Sequence, residues 1–315
     1  MKYTENALNV MAVLRLRGIG RSWVAEKLSG TKGVHPILSV AAGKFSEDDL
    51  ALARADVASI LEGSSVADGV VALGDEDFPL PRGDVRGAER PAFLVYKGDI
   101  SLLGHHNKSV AAVGLLDPDD STVAAERQVV KALVALGITV VSGLAQGCDS
   151  VAHRQALDSG GKTIAILPGT IDRILPRSNA PLAEEIVENG GLLITEYYEE
   201  ATSRNEQSSR YVERDRLQAL YSDAVILAAS YAKNDLGLDS GSRHAMAAAR
   251  KYSIPRAVIY DEDADLHNPK YDLARQLIAE QANIGIIKPH RLQETLVSAI
   301  ERDTRAVLPQ ASLFG

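Results

Sequence analysis

Cysteine is the scarcest residue that matters here. Among 315 residues there is one, Cys148, which excludes an internal disulfide and a zinc cluster built on thiolates. A reducing, cytoplasmic setting is the expectation. No apolar run approaches the ~18 residues of a membrane span. The start "MKYTENALNVMAVLRLRG" lacks the long apolar stretch and cleavage site of a secretory leader. The seven histidines form no i, i+4 pair beside a glutamate, and the adjacent His105 and His106 point apart, so no metal site is expected. Neither G-x-G-x-x-G nor G-x-x-x-x-G-K-[ST] occurs, which removes the usual dinucleotide and P-loop readings, and no cofactor is implied. Basic residues are also short. The 34 Lys and Arg against 42 Asp and Glu leave a net charge of −8. That excludes a generally sticky nucleic-acid binder and leaves room for a local basic patch.

What is present is enough apolar material for a large core: 45% of the chain is hydrophobic, and many of its 25 glycines fall between apolar runs. Residues 1–65 read as a small helical domain. "NALNVMAVLRL" spaces Leu8, Met11 and Leu14 for one helix, "RGIG" breaks it, and "SWVAEKL" starts another with Ser22 as its cap. Helix, G-I-G turn, helix is the outline of a helix-hairpin-helix (SAM-like) module, whose turn amides can meet a DNA phosphate. An ordinary glycine turn in a packing domain fits the same letters. Residues 66–104 read as a connecting segment with short strands, one at Phe93–Tyr96.

From 105 to 262 the runs "SVAAVG", "ITVVSG", "KTIAILPG", "GLLITE", "DAVILAAS" and "PRAVIY" alternate with helical patterns. Those patterns cover Asp120–Leu136, Cys148–Leu157, Ala180–Glu188, Arg214–Tyr221 and Gly241–Lys251. Short continuous apolar strands between helices predict an α/β fold: a Rossmann-like, doubly wound parallel sheet covered on both faces. Residues 263–315 read as a C-terminal helical extension with an exposed tail, Ile284–Ile287 adding a strand.

The turns that follow these strands should share one rim, where such sheets hold ligands. Ser142, Gly143, Gly147 and Asp149 form a strand-turn-helix whose free amides and dipole suit an anion, although Asp149 also fits a capping role. Lys162 starts a strand and Gly169 lies in the turn after it. Arg210, Arg214 and Arg216 fall together at an expected helix start, an unfavourable place for cations that invites an anionic partner or pairing with Glu213 and Asp215. Ser240, Gly241 and Ser242 sit at another helix start. Together these residues are candidates for binding phosphates of DNA or a nucleotide; ordinary capping and solvated charge fit each turn alone. Ser142, Asp149 and His153 can be forced into a triad, but no G-x-S-x-G elbow supports it, and no catalytic residue is assigned.

Taken together these motifs resemble the bacterial DNA-processing family Smf/DprA. "VVSGLAQGCDSVAHRQALDSGGKTIAILPGTIDRILPRSN" is similar to the family's S-G-L-A-[RK]-G-I-D-x-x-A-H run and its continuation. Ser142, Gly143, Gly147, Asp149, His153, Gly161, Thr163, Gly169, Asp172, Pro176 and Asn179 fall on that pattern. "GLLITEYY" supplies Glu196, "YVERDR" resembles F-P-x-R-N-R with Arg214 and Arg216, and "DSGSRHAMAAA" resembles S-G-S-L-x-T-A. The resemblance implies a core that binds single-stranded DNA, forms homodimers and passes strands to a RecA-type recombinase, in transformation, recombination or anti-phage defence. The family's arginine after the first core strand is missing from "GLLDPDD", Gln146 replaces a basic residue, and Asp215 replaces an asparagine. Each departure removes binding capacity for phosphates, so an altered ligand is the alternative: a small nucleotide-derived molecule, bound or hydrolysed, near the acids of Asp117–Asp120. Finally, Gln310, Ser312, Leu313 and Phe314 in "QASLFG" resemble the short peptides that dock on the bacterial sliding clamp; packing of Leu313 and Phe314 onto the core fits the same residues.

Overall fold

The computed structural model describes residues 1–28, 36–233, 241–280 and 283–301. Among the described residues four helices open the chain: α1 (Glu5–Leu14), α2 (Arg21–Leu28), α3 (Pro36–Ala42) and α4 (Glu47–Gly63). Thr4 caps α1 by accepting from the Ala7 amide, and Ser46 caps α4 by accepting from Asp49. Ser22 is not the cap of the second helix. It lies inside α2, whose first intrahelical bond already runs from the Val24 amide to the Gly20 carbonyl. The helices bury Met11, Val24, Val57 and Leu61 in one cluster, which also takes in Ala165, Ile186 and Leu193 from the sheet domain. Ile19 of the G-I-G turn joins that cluster. The turn thus packs, and α2 behind it carries Arg21 to Glu213 at 2.8 Å and Glu196 at 3.4 Å.

Nine strands among the described residues form one sheet. They are β1 (Gly69–Ala72), β2 (Phe93–Gly98), β3 (Ser109–Val113), β4 (Thr139–Ser142), β5 (Thr163–Ile166), β6 (Leu192–Thr195), β7 (Ala224–Leu227), β8 (Arg256–Ile259) and β9 (Ile284–Ile287). Their order is β1-β2-β6-β5-β4-β3-β7-β8-β9. From β6 to β9 all pairs are parallel, while β1 and β2 add an antiparallel edge. The later helices are α5 (Asp120–Ala135), α6 (Cys148–Asp158), α7 (Ala180–Glu188), α8 (Arg204–Leu220), α9 (Ser242–Lys251), α10 (Glu262–Asp265), α11 (Asp272–Ala279) and α12 (Leu292–Ile300). Every residue of β3 to β8 is buried, as a sheet covered on both faces requires. The fold is the expected Rossmann-like, doubly wound α/β architecture.

The sheet overruns the boundaries expected at 105 and 262. Residues assigned to a connecting segment pair with β6, because β2 lays its backbone against that strand's free edge. At the other edge β9 pairs with β8, and Leu273, Leu277, Leu296 and Ile300 of the last helices enter the main core. Those apolar residues are consumed inside the chain. Among the described residues no helix is long and apolar enough to cross a membrane.

Chain order runs outward from β3 to β6, then returns to β7 on the other side of β3. The switch point therefore lies between β3 and β7, where their carboxyl ends diverge and leave a crevice.

Candidate ligand cleft

A cleft of about 680 Å³ opens at that switch point. One wall is the turn after β3, Gly114 to Asp117, where Leu116 is 65% exposed. The turn into α6 supplies Gln146 and Asp149, α8 supplies Tyr211, Arg214, Asp215 and Gln218, and the far side holds Tyr231, Gly241 and Ser242.

The floor is a buried ion cluster. Arg214 places Nη1 3.2 Å from Asp149 Oδ2 and Nε 3.3 Å from Asp215 Oδ1, with all three side chains less than a tenth exposed. The Gln218 amide, its oxygen turned toward the two donors beside it, accepts from the Gly143 amide at 3.2 Å and from Arg214 Nη1 at 2.6 Å. This explains Gly143. A Cβ there would land on the Arg214 guanidinium, so only glycine leaves the space. Gly147 has another reason. Its φ of +74° and ψ of −130° suit glycine alone, and a Cβ would run into the backbone of Leu115 and Leu116. Burial pushes the Asp215 carboxyl up to about 7; Arg214 pulls it down and Asp149 adds to the rise. Beneath the floor, burial pushes the Glu126 carboxyl of α5 well up, beside a Cys148 thiol raised by burial and by Glu126 itself.

The expected site residues divide into three groups. Asp149, Arg214, Gly241 and Ser242 line the cleft. Ser142 and Gly143 lie under it, with their polar groups already used: Ser142 Oγ donates to the Ala112 carbonyl at 2.7 Å, and Ser242 Oγ donates likewise to Gly114. Gly147 shapes the turn, and Gly169 lies in the connection after β5, where a Cβ would make ordinary contact with the Arg173 carbonyl and the Leu175 side chain. The third group is elsewhere. Lys162 stands at the amino end of β5, donating to the Asn189 carbonyl, so its expected place on the carboxyl rim is corrected. Arg210 donates to the Glu199 carbonyl at 2.7 Å, pairs with Glu206, and stacks on Tyr197 at 4.1 Å. Arg216 pairs with Glu196 and donates to the Glu89 carbonyl, facing the junction with the helical domain. Nor do the three arginines mark a helix start. Ser203 accepts from the Glu206 amide while the Glu206 carboxylate accepts from Thr202, so α8 begins at Arg204 and the cations sit in its interior. Ser240 and the tail residues Gln310, Ser312, Leu313 and Phe314 lie outside the described residues.

Asp149 also accepts from the Ala145 amide at 3.2 Å, closing its own turn. Asp119, one of the acids expected near a nucleotide-derived ligand, caps α5 instead, accepting from the Thr122 amide at 2.9 Å. Asp117 does line the cleft, exposed. Among the described residues no group of three or more metal-type ligands converges. The sequence reading missed Tyr211, Gln218 and Tyr231. The first two lie three residues before and four after Arg214 on one face of α8. Placing the helix start at Ser203 would have exposed them.

Ser142 and His153 do not form a triad. Thr163 Oγ1 spends its only proton on the Val140 carbonyl, so it must accept from His153 Nδ1 at 2.7 Å. The other ring nitrogen then carries a lone pair, and it has no partner in its buried position. Burial holds the His153 pKa down at about 4; Asp149 opposes the shift and Arg214 adds to it. The unfolded chain takes up this proton below about 6.5, the folded chain only near 4, so stability falls as pH falls through that window. Going from pH 7 to pH 5 is expected to cost about 2 kcal/mol through His153 alone. Imidazole proton resonances should show one buried ring that does not titrate above pH 5. A ring at this position titrating near 6.5 would refute the assignment.

The profile of the family described as DNA recombination-mediator protein A matches residues 69–295. Protein Smf of Borreliella burgdorferi is 31% identical over 182 residues, 55% of this chain and 54% of that protein. The DNA processing protein DprA of Streptococcus pneumoniae is 33% identical over 123 residues, 39% of this chain and 42% of that one. The matched part thus spans about half or less of these curated relatives. Among solved structures, DprA from Streptococcus pneumoniae superposes with a TM-score of 0.60 at 23% identity over 89% of both chains. DNA processing protein A from Helicobacter pylori, described for its unique single-stranded DNA binding mode, gives 0.51 at 28% identity, covering 62% of this chain and 82% of its own.

Proposed function

The chain belongs to the DNA recombination-mediator protein A family of Smf and DprA proteins, and from that premise we propose that it binds single-stranded DNA along the carboxyl rim of its sheet. The cleft carries this reading: it opens at the switch point, within residues 69–295 that the family profile matches. The Helicobacter pylori relative's single-stranded DNA binding supports it further. Delivery of the strand to a RecA-type recombinase, homodimerisation, docking of the tail on a sliding clamp and a cytoplasmic location belong to the same proposal, in transformation, recombination or defence.

The phosphates find their charge away from the floor. Arg214 is balanced by two aspartates, whereas Arg177, Lys233 and Arg204 at the start of α8 lie exposed with no acidic partner among the described residues. Binding is expected to weaken linearly on a log–log salt plot, and Arg177→Ala or Arg204→Ala should each lower the slope by roughly one unit, uniformly across sequences. Fluorescence anisotropy with a labelled 20-mer over a salt series makes the measurement. A wild-type protein with no salt-dependent affinity at low salt would end this reading. A second reading, a small nucleotide-derived ligand, is favoured by one observation: the floor carries two carboxylates against one guanidinium.

A further inference from the structure

We propose that Asp215 is a proton-operated gate on the cleft: as a carboxylate it makes the floor repel the phosphates of the strand, and with a proton on it the floor admits them. This rests on the proposed single-stranded DNA binding and adds what regulates it.

The first ground is a balance of charge. Asp149 and Asp215 share one guanidinium, that of Arg214, at 3.2 and 3.3 Å. With both carboxylates ionised the floor keeps one uncompensated negative charge, in a cleft whose low-dielectric walls focus its field. The second ground is that the two carboxylates are held differently. Asp149 Oδ2 accepts from the Ala145 amide and from Arg214 Nη1, each at 3.2 Å. Asp215 accepts no hydrogen bond among the described residues, because Arg214 Nε lies near its Oδ1 without being aligned to donate. The surplus charge therefore falls on Asp215, which is buried and yet lines the cleft. The third ground is position. Asp215 Oδ2 lies 3.3 Å from the point that a Gly241 Cβ would take, at the amino end of α9. A helix amino end favours an anion, and beside this one the protein has set an anion of its own.

Burial sets the pH at which the gate works. It lifts the Asp215 carboxyl to about 7, with Arg214 opposing the rise and Asp149 adding to it. The gate is thus open below 7 and closed above. Other ionisable groups face it from each neighbouring element: Tyr211 on α8, Asp117 in the turn after β3, and Tyr231 after β7. Behind Asp149 on α6 lies His153, which burial keeps neutral throughout this range. The first turn of α9 carries Arg243 and His244. His244 is the one whose ordinary titration overlaps the window, so it serves as the control.

A phosphodiester in a strand and one in a free dinucleotide offer the same chemistry, and the test separates them. Full-length protein is titrated with a labelled dT 20-mer at constant ionic strength. About nine in ten molecules carry the proton at pH 6 and about one in ten at pH 8, so the dissociation constant is expected to rise about tenfold between them. Asp215→Asn keeps the shape and removes the charge. It should bind at pH 8 as tightly as the wild type does at pH 6, varying by less than about twofold between the two. His244→Gln should keep the wild-type profile. A wild-type affinity that does not change with pH, an Asp215→Asn variant that weakens in parallel with the wild type, or a profile flattened by His244→Gln overturns the inference and leaves single-stranded DNA binding standing. If no strand binds at pH 6 but the dinucleotide dTpdT does, and weakens about tenfold by pH 8, the gate stands and the DNA reading falls. If neither binds at any pH, both fall. Should Asp215→Asn fail to fold, calorimetry of the wild type in two buffers of different ionisation enthalpy decides: uptake of about one proton per bound protein at pH 8 upholds the gate, and no uptake overturns it.

Discussion

Arg214→Ala is expected to lower folding stability by about 3–5 kcal/mol, because it strands two buried carboxylates without their counter-charge. Asp149 and Asp215 are only 7% and 6% exposed, and neither has another cation within pairing distance among the described residues. The loss should shrink at pH 5. Without the guanidinium, the Asp215 carboxyl rises further above its already elevated value of about 7 and relieves its charge by keeping a proton. Gly143→Ala should act through the same arginine, since its methyl group would occupy the guanidinium's position. The two substitutions are therefore expected to be strongly non-additive: the double variant should be little worse than Arg214→Ala alone, with a coupling of about 2–3 kcal/mol. Urea denaturation of the four proteins closes the cycle. Additivity within about 0.5 kcal/mol would mean that Gly143 does not exist for Arg214.

Gly147→Ala is expected to cost about 3 kcal/mol, for a backbone reason independent of any ion pair. Its φ of +74° with ψ of −130° is a conformation that a Cβ forbids, and the turn after β3 crosses directly over it. Relief requires moving Leu115 and Leu116, which form the wall of the cleft, so ligand affinity should fall with stability. Circular dichroism melts give the first quantity and the anisotropy titration the second. A melting temperature unchanged within error, with unchanged binding, would show that the turn tolerates a side chain.

The elements most legible in the sequence are those whose neighbours are close along the chain. The core strands announced themselves because a strand buried on both faces must be apolar throughout, and β3 to β8 are. Helix α8 is also legible: Ser203 and Glu206 stand at capping-box spacing and mark its start, well before the cluster of arginines that lies in its interior. The edges of the sheet were less so: Ile284–Ile287 was legible as a strand, but its pairing with β8, which makes it part of the main sheet, was not.

The sequence by itself determined the alternation of strands and helices, the glycine turns at the strand ends, and with them the rim. The glycines at 143 and 147 were visible, but their purposes were not. One makes room for an arginine on α8, and the other lets the turn after β3 pass. Those requirements, like the pairing of Asp149 with Arg214 across 65 positions of chain, exist only once the strand order has placed β3 between β4 and β7. The tertiary structure likewise decided the fate of the basic residues. Charge in a sequence says nothing about its partner, because an ion pair forms wherever folding brings opposite charges within a few ångströms. Here folding neutralised Arg210, Arg214 and Arg216, carried Lys162 to the far end of the sheet, and left the floor of the cleft to a guanidinium held between two carboxylates.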